Sequence, residues 1–337
     1  MNTGRVDIAQ FESVCLQGNP LGDPSFRRFP VYLPPGYSEG TARFPVIYHL
    51  PAFAGTALQA ENSKAWEERL SDRLDRLIGS GQCPPVIVVT PDCFTRRGGS
   101  QYLNSSAVGN YETYLIDEVI PFVDQNYRTL ARPEARGVMG RSSGGFGALY
   151  HTMKHPEVFG ALASHAGDAG FELCYAPDFP GCVTTLEGVD PDDYLEDFLG
   201  RHKKPGHMFH TINVLGMSAC YSPNPNSPYG YDLPFDPYDG TTREAVWKRW
   251  LAHDPVRLVD DPACIDALRN ASLVFVDAGT KDNFNLHLGA RRLVKKMREA
   301  GIDVVHEEYP DDHFGLVYRY DRSIPLLATA LWGDQIP

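Results

Sequence analysis

No stretch of this 337-residue chain approaches the roughly 18–20 consecutive apolar residues that a membrane helix needs. The start MNTGRVDIAQ has no basic segment leading into an apolar one, so a secretory signal is not expected and a cytoplasmic location is. Low-complexity runs and internal repeats are also missing, which excludes fibrous, solenoid and disordered classes. Positive charge is short: 31 Lys and Arg stand against 43 Asp and Glu, a net charge of −12. Nucleic acids and anionic membranes reward basic patches through counterion release, so neither is an expected partner and a small neutral or cationic molecule is. The seven cysteines (15, 83, 93, 174, 182, 220, 264) are odd in number and form no C-x-x-C pair. They read as reduced thiols in a large core, although Cys174 and Cys182 lie close enough in sequence to bridge. A homo-oligomer is left open.

What is present is alternation. Short apolar runs, FPVIYHL (44–50), PPVIVVTPD (84–92), ARGVMG (135–140), FGALASHAG (159–167), ASLVFVDAG (271–279) and IDVVHEEYP (302–310), read as strands. Amphipathic helices fit between them over 64–81, 111–127, 144–155 and 284–301. RFPVYLPPGY (28–37) and QFESVCL (10–16) add antiparallel edge strands at the start. Strands alternating with helices predict an α/β fold, with a mostly parallel central sheet covered by helices on both faces. The stretch 168–262 breaks the pattern with PNPNSPYGYDLPFDPYDG and the tryptophan-bearing helix TTREAVWKRWLAHDP. It is read as an insertion that lies as a lid over a core built from 1–167 and 263–337.

One turn carries chemistry. GRSSGGFG (140–147) fits the frame G-x-S-x-G, in which a strand enters a sharp corner, presents the middle serine and leaves as a helix. Shifting the frame by one position meets Arg141 instead of glycine, so Ser142 is the nucleophile candidate and Ser143 its successor. A serine hydroxyl needs a base, and the base needs an orienting acid. In the α/β-hydrolase plan both follow the serine, acid first, on loops after later strands. His313, in EEYPDDHFG, is the histidine in the loop after the last strand, whereas His306 sits within a strand and His287 on a helix. Asp282, in GTKDNFN, follows the strand at 271–279, and Asp277 at the strand's end is its rival. Asp311 and Asp312 read as turn residues. Oxyanion donors are expected from the Ser143 N–H and from PAFAGT (51–56), with Phe53 first and Ala54 next.

Together these segments resemble the putative-esterase family of α/β-hydrolases, which holds S-formylglutathione hydrolases (esterase D), enterochelin esterases, feruloyl esterases and mycolyltransferases. The resemblance rests on RRFPVYLPPGY, FPVIYHLPAFAG, GGSQYLNSSAVGNYETYLIDEVIPFVDQNYRT, GVMGRSSGGFGALYHTMKHPEVFGALASHAGD, VDAGTKDNFN and YPDDHFG. It implies the α/β-hydrolase fold, with nucleophile, acid and base at Ser142, Asp282 and His313. Where many members have His-Gly after the third strand, this chain has Pro51-Ala52. The expected activity is hydrolysis of a carboxylic ester through an acyl-enzyme, with no cofactor. Acyl transfer or thioester cleavage on the same triad is the alternative, and a non-catalytic binding module the third reading.

Weaker signals remain. Arg141, His165 and Asp168 are candidates to line the pocket, as are Trp247 and Trp250 on the insertion's helix. His202, His207 and His210 lack a nearby Cys or carboxylate to complete a metal set, and no metal is expected there.

Overall fold

The computed structural model describes residues 3–336. The chain opens with β1 (Arg5–Glu12), β2 (Phe26–Leu33) and β3 (Val46–Leu50), then helix α1 (Leu70–Gly79) and β4 (Ile87–Val89). A small hairpin, β5 (Asn104–Ser105) and β6 (Gly109–Asn110), leads into α2 (Tyr111–Thr113) and α3 (Ile120–Asn126), joined by a π turn over Tyr114–Val119. β7 (Arg136–Arg141), α4 (Ser143–Lys154) and β8 (Ala161–His165) follow. Then come α5 (Phe171–Cys174), α6 (Phe179–Thr185), α7 (Pro191–Gly200), α8 (Phe209–Tyr221), α9 (Glu244–Leu251), α10 (Pro255–Leu258) and α11 (Pro262–Asn270). β9 (Leu273–Gly279), α12 (Leu286–Glu299), β10 (Val305–Tyr309) and α13 (Tyr320–Trp332) complete the fold.

The large sheet has the order β1-β2-β4-β3-β7-β8-β9-β10. β1 and β2 are antiparallel, β2 joins β4 antiparallel, and every pair from β4 to β10 is parallel. In the central strands β3 and β8 every residue is buried, as parallel strands covered on both faces require. The period of two decides which face each residue meets. Ile47 and Met139 pack with Leu74, Leu77, Leu327 and Leu331 of α1 and α13, while Tyr48 and Val138 join Phe146 and Leu149 of α4 on the other face. The architecture is the mostly parallel α/β type, with the C-terminal ends of β3, β7, β8 and β9 gathered at one edge.

Three boundaries differ from the sequence pattern. The first strand lies at 5–12 rather than 10–16, because past Ser13 the Val14 and Cys15 N–H groups turn to the Glu118 carboxylate, at 2.8 and 3.0 Å. The helix expected from 64 begins at Leu70: Lys64 and Glu67 form an isolated bridge, and the first apolar contact with the core comes at Leu70. The helix over 111–127 is wound through the π turn. The 168–262 segment shares the main core, with the rings of Tyr221 and Phe171 lying 5.7 and 6.2 Å from Phe146 of α4. Trp250 is fully buried against Tyr221 and Phe179, at ring distances of 5.3 and 5.9 Å. Asp254 accepts hydrogen bonds from the Gly170 and Phe171 N–H groups, both at 2.9 Å, and so ties the end of the segment to its beginning.

Candidate active site

β7 ends at Arg141 and α4 starts at Ser143, and the chain turns between them at Ser142 with φ 55° and ψ −124°. Non-glycine residues hold such a conformation only when their surroundings over-determine it. The Ser142 N–H donates to the His165 carbonyl at 3.0 Å, and its own carbonyl accepts the Phe146 N–H at 2.8 Å. The flanking glycines have a steric reason: a Cβ on Gly144 would stand 1.9 Å from the Leu50 carbonyl oxygen, and one on Gly140 would stand 2.5 Å from the Gly144 carbonyl carbon. Helix α4 can pass this close to β3 only without side chains there.

Two later loops bring an acid and a base to this corner. His313 Nε2 lies 3.1 Å from Ser142 Oγ, and His313 Nδ1 lies 2.7 Å from Asp282 Oδ2. The second carboxylate oxygen of Asp282 accepts the N–H groups of Phe284 at 2.9 Å and Leu286 at 3.2 Å, which fixes its plane. His313 is held from behind by Asn283 Oδ1, which accepts its N–H at 3.2 Å, and by Arg141 Nη1, which donates to its carbonyl at 3.1 Å. Asp282 therefore keeps the imidazole proton on Nδ1, and the Nε2 lone pair faces the serine hydroxyl. Ser143 opens α4, so its N–H is one of the donors that a helix start leaves unpaired. The Phe53 N–H likewise has no acceptor among the described residues.

A further carboxylate borders the corner. Asp168 is buried, with Oδ1 3.4 Å from Ser142 Oγ. Its Oδ2 accepts from Tyr175 OH at 2.7 Å, Gln101 Nε2 at 3.2 Å and Ser143 Oγ at 3.3 Å. Burial pushes its carboxyl above the usual carboxylate range, against the pull of the Tyr175 hydroxyl, His313 and Gln101. The cleft above these groups is walled by Phe53, Phe209, Phe284, Leu286 and Phe314, with Arg141, Asn213 and Cys174 among the polar lining.

A family profile described as Putative esterase matches residues 25–314. The chain belongs to this family. It is 30% identical over 155 residues to YbbA of Bacillus subtilis, described as uncharacterized, an alignment that spans 43% of this chain and 58% of that one. It is 42% identical over 91 residues to the esterase Rv1288 of Mycobacterium tuberculosis, covering 25% of this chain and 19% of the relative. Less than two thirds of either relative is therefore spanned. Among solved structures, a ferulic acid esterase superposes with TM-score 0.63 at 21% identity, covering 98% of this chain and all of its own. An S-formylglutathione hydrolase from Agrobacterium tumefaciens gives 0.58 at 18% identity, covering 98% and 97%. These two likenesses establish the shared fold.

Within this esterase-family fold the other candidate residues separate. Arg141 and Asp168 line the cleft. His165, Trp247 and Trp250 do not. His165 is sealed beneath the sheet's edge, its Nδ1 2.8 Å from Asp277 and its Nε2 2.8 Å from Ser323 Oγ. The two tryptophans instead pack the helices of the 168–262 segment against one another, their rings 5.7 Å apart, and Trp250 Nε1 donates to Ser222 Oγ at 2.9 Å. Ala54 is not a free donor, because its N–H is given to the Gly98 carbonyl at 2.6 Å. Asp277, the rival acid, is engaged by His165 and by Arg319 Nε at 2.9 Å. Asp311 accepts from Tyr318 OH and Asp312 from the Phe314 N–H. Cys174 and Cys182 are both free thiols. His210 pairs with Asp178 at 3.0 Å, and no group of three metal-ligating side chains occurs among the described residues. Nor is any described helix long and apolar enough to cross a membrane. Gln101, Tyr175 and Tyr221, whose hydroxyl accepts from Gln101 Nε2 at 2.7 Å, escaped the sequence reading because each comes from a different loop or helix, with no shared motif.

Proposed function

We propose that this chain is a serine carboxylesterase acting on a small-molecule ester. The observation that carries the proposal is the continuous hydrogen-bonded row Ser142–His313–Asp282 ending on a strained strand-to-helix corner. His313 removes the Ser142 proton as Oγ attacks the ester carbonyl. Asp282 stabilises the resulting imidazolium without taking its proton. Charge develops on the carbonyl oxygen, where the Ser143 and Phe53 N–H groups are available to receive it. His313 Nε2 then hands the proton to the departing alcohol, leaving Ser142 acylated. A water molecule deprotonated by His313 attacks the acyl carbonyl, and return of the proton to Ser142 Oγ releases the acid.

The test is Ser142→Ala. Hydrolysis of phenyl acetate is expected to fall by about 10⁴-fold or more, and labelling by a fluorophosphonate to disappear while the thermal unfolding curve stays close to that of the wild type. Undiminished turnover, or labelling at another serine, would overturn the assignment.

A further inference from the structure

The triad leaves one buried carboxylate without a task. Asp168 Oδ2 is saturated by Tyr175, Gln101 and Ser143. Oδ1 has only the Ser142 hydroxyl, at a long 3.4 Å, and that hydroxyl's single proton is owed to His313 Nε2 at 3.1 Å. In the reactive arrangement Oδ1 therefore faces the cleft with no donor. A buried carboxylate oxygen in that state is costly, and a substrate that supplies an O–H or N–H recovers the cost.

Position restricts where that donor sits. The carbonyl oxygen of a bound ester turns toward the Ser143 and Phe53 N–H groups, and the leaving oxygen must meet His313, which gives it a proton. The remaining substituent of the carbonyl carbon is the acyl chain, and it is the part left to face Asp168. Because Oδ1 stands 3.4 Å from the attacking oxygen, only a donor on the carbon next to the carbonyl comes within reach once Oγ has bonded. Arg141 adds a positive charge to the same cleft, which weighs against an ammonium, and a hydroxyl is the smallest neutral donor that this carbon can carry. The phenylalanine-rich wall takes whatever apolar chain extends beyond.

We propose that Asp168 is a specificity-determining residue that selects esters of α-hydroxy acids, an inference that rests on the serine-esterase reading above. Gln101 and Tyr175 act through it, holding the carboxylate so that Oδ1 faces the cleft.

The experiment compares phenyl lactate with phenyl isobutyrate, in which a methyl group replaces the hydroxyl, each kcat/KM being divided by the ester's own rate with hydroxide. The wild type is expected to favour lactate by about tenfold or more, the range of a hydrogen bond to a charged group. In Asp168→Leu the ratio is expected to drop to near one. A general disturbance of the fold would slow both esters alike and leave the ratio in place, and the wild-type ratio needs no variant at all. A wild-type ratio near one, or a large ratio that survives in Asp168→Leu, would overturn the proposal. So would a preference confined to hydroxyethyl acetate over propyl acetate, which would put the donor on the alcohol. If neither acyl ester is hydrolysed and a fluorophosphonate leaves Ser142 unlabelled, the esterase reading itself fails; equal turnover of both overturns only the role of Asp168.

Discussion

Ser142 holds a left-handed backbone that costs on the order of 1–3 kcal/mol, and its neighbours make it tolerable. The strain is maintained by contacts on both sides: the His165 carbonyl fixes its N–H, and α4 is drawn against β3 at Gly144. Gly144→Ala is therefore predicted to be among the most damaging single-methyl additions in the chain. Its Cβ would enter the Leu50 carbonyl at 1.9 Å, and that oxygen belongs to a strand paired on both sides. A loss of about 4 kcal/mol or more is expected, a size reached only by such named backbone or core conflicts. Thermal unfolding and fluorophosphonate labelling check it, and a soluble variant with wild-type melting and labelling would show that α4 can shift without cost. The glycines were legible in the sequence because backbone clearance demands that residue type at fixed offsets. Ser142, Asp282 and His313 were legible because their chain order matches the strand order. Asp168 was legible as a candidate to line the pocket but not as the centre of a polar cluster: its partner Gln101 lies 67 positions before it, and Tyr221, which accepts from Gln101, lies 53 positions after it. A polar cluster assembled over such separations leaves no periodic trace.

At the scale of elements, the segment between β8 and β9 was readable as an interruption but not as what it does to the core. Tryptophans on a helix over a cleft are compatible with a pocket wall or with a packing anchor, and periodicity cannot separate the two. Burial can: Trp250 is fully enclosed and touches Tyr175, Tyr221 and Phe179. Tyr175 in turn hydrogen-bonds Asp168, so the anchor supports the cleft at one remove. Trp250→Ala is expected to cost about 3–5 kcal/mol in chemical denaturation, with KM for phenyl acetate close to that of the wild type at temperatures where the variant is folded. A raised KM with unaltered stability would instead place the ring against substrate. The same limit explains the misplaced start of α1. Residues 64–69 carry helix-compatible charges, yet they offer the sheet no apolar face, and the helix begins where Leu70 and Leu74 can reach Ile47 and Val88.

Across the whole molecule, the fold class was legible because both faces of a parallel sheet must be covered, and that requirement writes continuous apolar runs into the strands. The titration behaviour was not legible, since a histidine in sequence does not announce its burial. Burial lowers His49, His151 and His253 from 6.5 to about 4. Between those values the unfolded chain binds more protons than the folded one, so stability rises with pH through this window and is lost as pH falls. Each imidazole contributes up to about 1.4 kcal/mol per pH unit there. His155, raised chiefly by its hydrogen bond to Glu112, has the opposite sign: its contribution is complete well below its unfolded value and is lost as pH rises through its folded value, so its opposing slope touches only the top of the acid window. Asp23, Glu61, Asp168 and Asp254, raised by burial, also favour the fold at lower pH. Their effect is confined to the range between the ordinary carboxylate value and their own, whereas His306, also lowered by burial, adds to the three histidines up to the ordinary imidazole value. The histidines therefore dominate at the upper end of the window. The melting temperature is predicted to fall between pH 6.5 and 5.5 by several degrees, with the fall reduced in His151→Gln, which removes the imidazole whose Nδ1 has no partner in the core. A melting temperature that stays level across that interval would mean that these histidines take up protons in the folded protein as readily as in the unfolded chain.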